Sequence, residues 1–112
     1  MSIAGTFPEQ GFRVRLERSA LEGEGARYRG YAYVPTARFP LVLAISGTGE
    51  VALEVGAPED EAGLPVATAL PPGDEAFVRQ LGKQLHRQAR EAPVDQGGGQ
   101  WARRVQRWRG PK

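Results

Sequence analysis

Apolar and polar residues alternate along the first half of the chain with the two-residue period of half-buried β-strands. Phe12, Val14 and Leu16 fall on one face of the first such segment, and charged residues fall on the other. Residues 12–18, 27–34 and 50–55 alternate in this way, and residues 39–45 form a continuous apolar run, as expected of a central strand. Turn-forming residues separate them. The pattern therefore predicts a four-stranded antiparallel β-meander over residues 12–55.

The register of the first hairpin can be predicted because inward residues of neighbouring strands must face one another. One allowed register sets Leu16 opposite Gly30 and Glu17 opposite Arg29. The competing register opposes two arginines, and like charges directly opposed are destabilising. We therefore expect the first register.

The lengths of the two later turns predict the remaining registers. We expect a four-residue loop over residues 35–38 and a turn over residues 47–49, where two glycines flank a threonine. The resulting inward pairs are Val34–Phe39, Ala32–Leu41, Gly30–Leu43, Ile45–Val51, Leu43–Leu53 and Leu41–Val55.

The second half of the chain predicts a loop and then helices. Residues 56–73 are acidic and rich in proline and glycine, and within them residues 66–70 fit a short edge strand. Helical periodicity follows over residues 74–91, where Asp74 is the expected N-cap. The apolar stripe of this helix comprises Phe77, Val78, Leu81, Leu85 and Ala89. It should cover one face of the sheet.

The C-terminal segment predicts a flexible joint and a second short helix. Residues 92–100 contain Pro93 and three consecutive glycines. Within residues 101–109, Trp101, Val105 and Trp108 are spaced as i, i+4 and i+7, the spacing of one helix face. Nine residues make a marginal isolated helix, so the tryptophans must dock. The chain is thus predicted to be a single α+β domain over residues 1–112.

Composition excludes several classes of chemistry. The chain has no cysteine and a single histidine, His86, expected to be exposed on the basic face of the helix. We therefore expect no metal site, no cofactor, no small-molecule substrate and no enzymatic activity. The first ten residues lack the pattern of a signal peptide, and no apolar run is long enough to span a membrane. We expect a cytoplasmic protein, and 13 arginines against 2 lysines favour a GC-rich bacterial source.

Charge is divided unevenly along the chain. Residues 46–75 contain seven acidic and no basic residues, whereas residues 76–112 contain nine basic and two acidic residues. The basic end predicts either an anionic partner or neutralisation by the acidic segment within the fold. For an accessory nucleic-acid-binding protein, the candidate residues are Arg79, Lys83, Arg87, Arg90, Arg103, Arg107, Tyr31 and Tyr33.

Arginines and tyrosines also share the outward face of the first two strands. Tyr31 and Tyr33 lie there together with Arg13, Arg15, Arg27 and Arg29. Basic and aromatic side chains on an open sheet are typical of single-strand binders. The alternative is that Glu17 and the tyrosines already pair with these arginines across the strands.

The main function predicted is a protein-interaction or assembly module, including a homodimer, that uses the C-terminal Trp/Arg segment, and nucleic-acid binding is its alternative. Tryptophan and arginine are enriched at binding hot spots. The candidate partner-binding residues are Trp101, Val105, Trp108 and Arg104. The alternative is that the tryptophans close the core of their own domain.

Overall fold

The structure, a computed structural model, describes residues 11–91 and 101–109, which form five antiparallel strands and one helix. The elements are β1 (Phe12–Glu22), β2 (Gly25–Val34), β3 (Ala37–Ile45), β4 (Val51–Val55), α1 (Pro72–Glu91) and β5 (Arg104–Arg109). The strands form one sheet in the order β4-β3-β2-β1-β5, and α1 packs on one face. The predicted α+β class is confirmed. The predicted joint over residues 92–100 lies outside the described residues.

The first hairpin has the predicted register. Leu16 pairs with Gly30, and Glu17 pairs with Arg29, so no two arginines are directly opposed across the strands. The last hairpin is also as predicted, with Ile45 opposite Val51 across a tight turn. Both registers keep apolar residues on one face, and the first also sets opposite charges across from one another.

The register predicted for the middle hairpin is wrong. The strands continue to Val34 and Ala37, which pair with each other, so the turn has two residues rather than four. Phe39 therefore lies opposite Ala32. Two facts extend β3 backwards: Ala37 is fully buried, and the backbone of Arg38 exchanges hydrogen bonds with Glu59 at 2.8 and 3.0 Å. A slip of two residues leaves every side chain on its original face, so the apolar pattern does not distinguish the two registers.

Helix α1 begins two residues before the predicted start. Pro72 occupies the first helical position, where its missing N–H costs nothing, and the Pro71 carbonyl accepts the N–H groups of Asp74 and Glu75 at 3.0 Å each. Asp74 is therefore not the N-cap. Its buried carboxylate instead forms a 3.1 Å ion pair with Arg109, which ties the end of β5 to the first turn of α1.

The core lies between α1 and the face of the sheet that α1 covers. Val78, Leu81, Leu85 and Ala89 are buried there, as the helical stripe predicts. A side chain at Gly82 would come within 3.1 Å of both methyl groups of Val51, so the helix approaches β4 closely. The core residues contributed by the strands are Phe12, Val14, Leu16, Ala26, Tyr28, Ala32, Ala37, Phe39, Leu41, Leu43, Ile45 and Val105.

The predicted C-terminal helix over residues 101–109 is wrong, because Arg104–Arg109 forms the fifth strand. This strand pairs with the edge of β1, where the N–H of Arg18 also donates to the carbonyl of Arg103 at 2.8 Å. Strand pairing satisfies backbone groups that would otherwise remain open along β1, whereas a helix this short gains little in water. Residues 66–70, the predicted edge strand, form none of the strands.

Trp101 precedes β5 and is buried in the core. Its indole N–H donates to the carbonyl of Glu24 at 3.2 Å, and its own carbonyl accepts from Arg18 at 2.9 Å. Beside it, the Tyr28 hydroxyl donates to the Ala102 carbonyl at 2.6 Å. Burial raises the pKa of Tyr28 to about 12, against the opposing charge of Arg18, so this hydroxyl keeps its proton at neutral pH. These contacts join the C-terminal segment to β1 and β2.

His86 is not exposed on the basic helix face, as the sequence predicts, but half-buried. Its Nε2 atom lies 3.0 Å from the Gly47 carbonyl, and its ring centroid is 6.1 Å from that of Trp101. Gly49 has a φ of +94°, and a side chain there would meet the imidazole at 2.9 Å. The imidazole therefore packs the β3–β4 turn onto α1.

In the described parts of the chain, no helix has the length and apolar character needed to cross a membrane.

Candidate nucleic-acid interface

The four residues predicted to bind a protein partner lie on two different sides of the sheet, because residues 104–109 form the strand β5. Trp101 and Val105 are 6% and 4% exposed and belong to the core. Trp108 is 58% exposed, and Arg104 is exposed as well. Because successive strand residues point to opposite faces, Arg104 and Trp108 lie on the side of the sheet away from Val105. The four residues therefore do not form one surface.

The sheet face turned away from α1, here called the outer face, brings aromatic and basic side chains into register. Residues on it alternate with core residues along β5, β1, β2 and β3. Three adjacent rows across these strands are Trp108–Arg13–Tyr33–Arg38, Gln106–Arg15–Tyr31–Pro40 and Arg104–Glu17–Arg29–Val42. β5 thus adds a tryptophan and an arginine to the arginine and tyrosine pattern of β1 and β2.

The three aromatic rings of these rows differ in how accessible they are. Tyr33 is only 6% exposed, and its ring centroid lies 6.0 Å from that of the half-buried Tyr31. Burial raises the pKa of Tyr33, and the nearby charges of Arg15 and Arg38 oppose this effect. The guanidinium of Arg38 lies 5.1 Å from the Tyr31 ring centroid. Trp108 is therefore the ring with the most surface available to a ligand.

The arginines of the outer face differ in how far acidic groups neutralise them. Arg38 forms a 2.6 Å ion pair with Glu59 from the acidic loop, so that charge is internally compensated. Arg15 and Arg29 are exposed, and among the described residues no carboxylate forms a salt bridge with either. Two positive charges are therefore open to an anion.

A groove of about 320 Å³ crosses the outer face between β5, β1 and β2. Its polar lining consists of Arg15, Glu17, Arg29, Tyr31, Tyr33, Arg104 and Gln106. Three guanidinium groups face one carboxylate there, so the groove carries a net positive charge. Gln106 and the tyrosine hydroxyls supply uncharged hydrogen-bonding groups.

The basic face predicted on the helix is a separate surface. Arg79 forms an i, i+4 ion pair with Glu75 at 3.2 Å. Lys83, Arg87 and Arg90 are exposed, and no salt bridge between described residues reaches them. The acidic segment therefore does not neutralise them. Since α1 covers the core face, these cations lie on the opposite side of the sheet from Tyr31 and Tyr33.

The remaining predicted basic residues do not join either group. Arg103 is exposed just before β5. Arg107 pairs with Val14 and so shares the parity of the core face, with its Nη1 atom donating to the Gln106 carbonyl at 2.9 Å. The nucleic-acid-binding residues predicted from the sequence are therefore divided between two sides of the domain.

The outer face combines an exposed tryptophan, a positively charged groove and two arginines that pair with no carboxylate in the part of the chain that the structure describes. No protein-family model matches the chain, and no curated protein or solved structure is detectably similar to it. Within residues 11–91 and 101–109, no group of three or more potential metal ligands comes together.

The sequence-based list of binding residues omitted several that the structure brings together here. The strand alternation places Arg15 and Arg29 on this face, but the alternative that they pair with Tyr31 and Glu17 across the strands left them outside the predicted binding residues. Cross-strand neighbours need not form ion pairs, and Arg29 forms none with Glu17. No sequence pattern indicates Gln106 as a binding residue, because its position on the outer face depends on the pairing of β5 with β1.

Proposed function

We propose that the protein binds single-stranded nucleic acid on the outer face of its sheet. The observation that carries this proposal is the position of Trp108. It is exposed on the same face as Arg15 and Arg29, which form no salt bridge with a described carboxylate, and it directly opposes Arg13 across β5 and β1. An exposed ring beside basic groups lets a base stack while its phosphates are held electrostatically.

The shape of the face favours a single strand over a duplex. Reading a duplex groove requires an element that enters it, such as a helix or a two-stranded ribbon. The outer face is instead the side of a five-stranded sheet, across which a chain with unstacked bases can lie. Stacking on aromatic side chains needs such bases, and each stack contributes about 1–3 kcal/mol.

The exposed cations of α1 have a weaker claim to the same function. Lys83, Arg87 and Arg90 form a charged helix surface to which the described residues add no exposed aromatic ring. Charge alone supports sequence-independent attraction that salt weakens strongly. We assign α1 at most a long-range electrostatic contribution to binding.

A protein partner or a second copy of the chain is the second candidate for the outer face. Trp108 and Arg104 are of the residue types that dominate binding hot spots, and both remain on the surface. This candidate ranks second because Trp101 and Val105, two of the four residues predicted to bind a partner, are buried in the core of the domain.

Fluorescence anisotropy with labelled oligonucleotides tests the proposal. We expect the full chain to bind a single strand more tightly than a duplex of the same length at about 50 mM salt, and binding should weaken at about 200 mM salt. An abasic oligonucleotide of equal length should bind more weakly, because it retains the phosphates but offers no bases to stack. Absence of binding at the lower salt concentration, or a preference for duplex, would contradict the proposal.

A further inference from the structure

The groove on the outer face has an arrangement of charges that points to a particular ligand group. Glu17 lies in the middle strand of the three, directly opposite Arg104 on β5 and directly opposite Arg29 on β2. Neighbouring strands are about 5 Å apart, so the backbone positions of the two arginines flank that of Glu17, although only the Arg104 side chain forms an ion pair with the carboxylate. Arg15 lies two residues before Glu17 on the same strand and the same face.

Glu17 holds Arg104 only weakly, and no salt bridge joins it to Arg15 or Arg29. Its Oε2 atom lies 3.7 Å from Nε of Arg104, and the two side chains are 74% and 85% exposed. An ion pair this long and this open to solvent contributes little to stability. The carboxylate can therefore turn into solvent at small cost when another anion enters the groove.

We infer that the groove is a phosphate subsite in which Glu17 acts as a competing internal anion. A phosphate accepts paired hydrogen bonds from guanidinium groups, the strongest class of such contacts in proteins. Arg15, Arg29 and Arg104 supply the donors, and Gln106 adds a neutral one. This inference rests on the proposed function, because it assigns the phosphate to the backbone of the bound single strand.

Glu17 also gives the groove a form of selectivity. An isolated small anion must displace the carboxylate with only its own contacts. A phosphate within an oligonucleotide is delivered by contacts elsewhere on the face, so displacement becomes an intramolecular step at a high effective concentration. Removing the carboxylate should therefore strengthen binding of all phosphates, with the largest relative gain for a free one.

The test compares Glu17→Gln with Glu54→Gln in the full chain. Glu54 is exposed on the outer face of β4, and β3 separates it from the groove. Its replacement by glutamine removes the same charge as Glu17→Gln. At about 0.1 M salt, charges more than about 10 Å apart are largely screened. We expect Glu17→Gln to bind the single strand roughly three- to tenfold more tightly than the unsubstituted chain, and Glu54→Gln to change affinity less than about twofold.

Two further probes locate the gain and identify the source of the phosphate. The increase in affinity caused by Glu17→Gln should persist with the abasic oligonucleotide, because it arises from contacts with phosphate and not with bases. Inorganic phosphate should displace the oligonucleotide from Glu17→Gln at a lower concentration than from the unsubstituted chain, yet remain the weaker ligand. Tighter binding of inorganic phosphate than of the oligonucleotide would overturn the assignment to a nucleic-acid backbone.

The inference and the proposed function fail in different ways. If the unsubstituted chain does not bind an oligonucleotide, the proposed function is wrong. If it binds, but Glu17→Gln binds equally or more weakly, or no better than Glu54→Gln, then the phosphate subsite alone is wrong. Thermal unfolding of both variants should match that of the unsubstituted chain, since both positions are exposed.

Discussion

Replacing Arg15 and Arg29 together with glutamine should lower the affinity for a single-stranded oligonucleotide roughly 100-fold at low salt. Each arginine is exposed on the outer face with no ion pair to a described carboxylate, so each can give its full charge to a phosphate. Loss of two charge-assisted contacts of about 1.5 kcal/mol each corresponds to this factor. The slope of log affinity against log salt should become shallower by about 1.4, from about 0.7 for each phosphate contact with a single strand.

A matched control for this double variant lies on the other side of the domain. Arg87→Gln combined with Arg90→Gln removes the same two charges from exposed positions of α1. Its effect on affinity should stay below about threefold, because the helix face contributes only screened, long-range attraction. Equal losses in the two double variants would show that net charge, and not the outer face, determines binding. Anisotropy titrations at two salt concentrations measure both quantities.

Replacing Trp101 with alanine should lower the free energy of unfolding by about 3–5 kcal/mol, the usual range for deleting a buried tryptophan. The residue is 6% exposed in the core, and its indole N–H donates to the Glu24 carbonyl, which would lose its partner. The contact with the His86 ring would also disappear. Since small domains are stabilised by only about 5–15 kcal/mol in total, this loss is severe.

Trp108→Ala is the matched control for Trp101→Ala. The side chain is 58% exposed on the outer face, so its removal should change the free energy of unfolding by less than about 1 kcal/mol. Chemical denaturation followed by circular dichroism measures both variants without relying on tryptophan fluorescence. Similar losses of unfolding free energy in the two variants would contradict the placement of Trp101 in the core and Trp108 on the outer face. Such a result would favour the helix predicted from the sequence.

Much of the sheet could be predicted from the sequence because local patterns determine it. Alternation assigned the faces of β1 and β2, and opposing charge selected the pairing of Glu17 with Arg29 over the alternative. The middle hairpin could not be predicted in the same way, since a two-residue slip preserves both faces. In the structure a non-local contact, the bridge between Arg38 and Glu59, accompanies the extended β3, and this contact leaves no local signal in the sequence.

The C-terminal segment shows why the candidate site was harder to predict than the fold. The spacing of Trp101, Val105 and Trp108 fits one helix face, and no alternation of apolar residues marks β5 as a strand. Arg109 lies on the core side of the sheet, where its charge is compensated by Asp74, a residue remote in sequence. Only pairing with the edge of β1 places Trp108 on the outer face.

The two tryptophans also provide the most direct measurement of where ligand binds. Heteronuclear NMR resolves one indole N–H signal for each, and a single-stranded oligonucleotide can be titrated into the full chain while these signals and the backbone amides are followed. If the ligand binds the outer face, the signals of the Trp108 indole and of the Arg15, Arg29 and Gln106 amides should shift. The signal of the Trp101 indole should not move. Shifts concentrated at Lys83, Arg87 and Arg90, with the Trp108 indole unmoved, would contradict binding on the outer face.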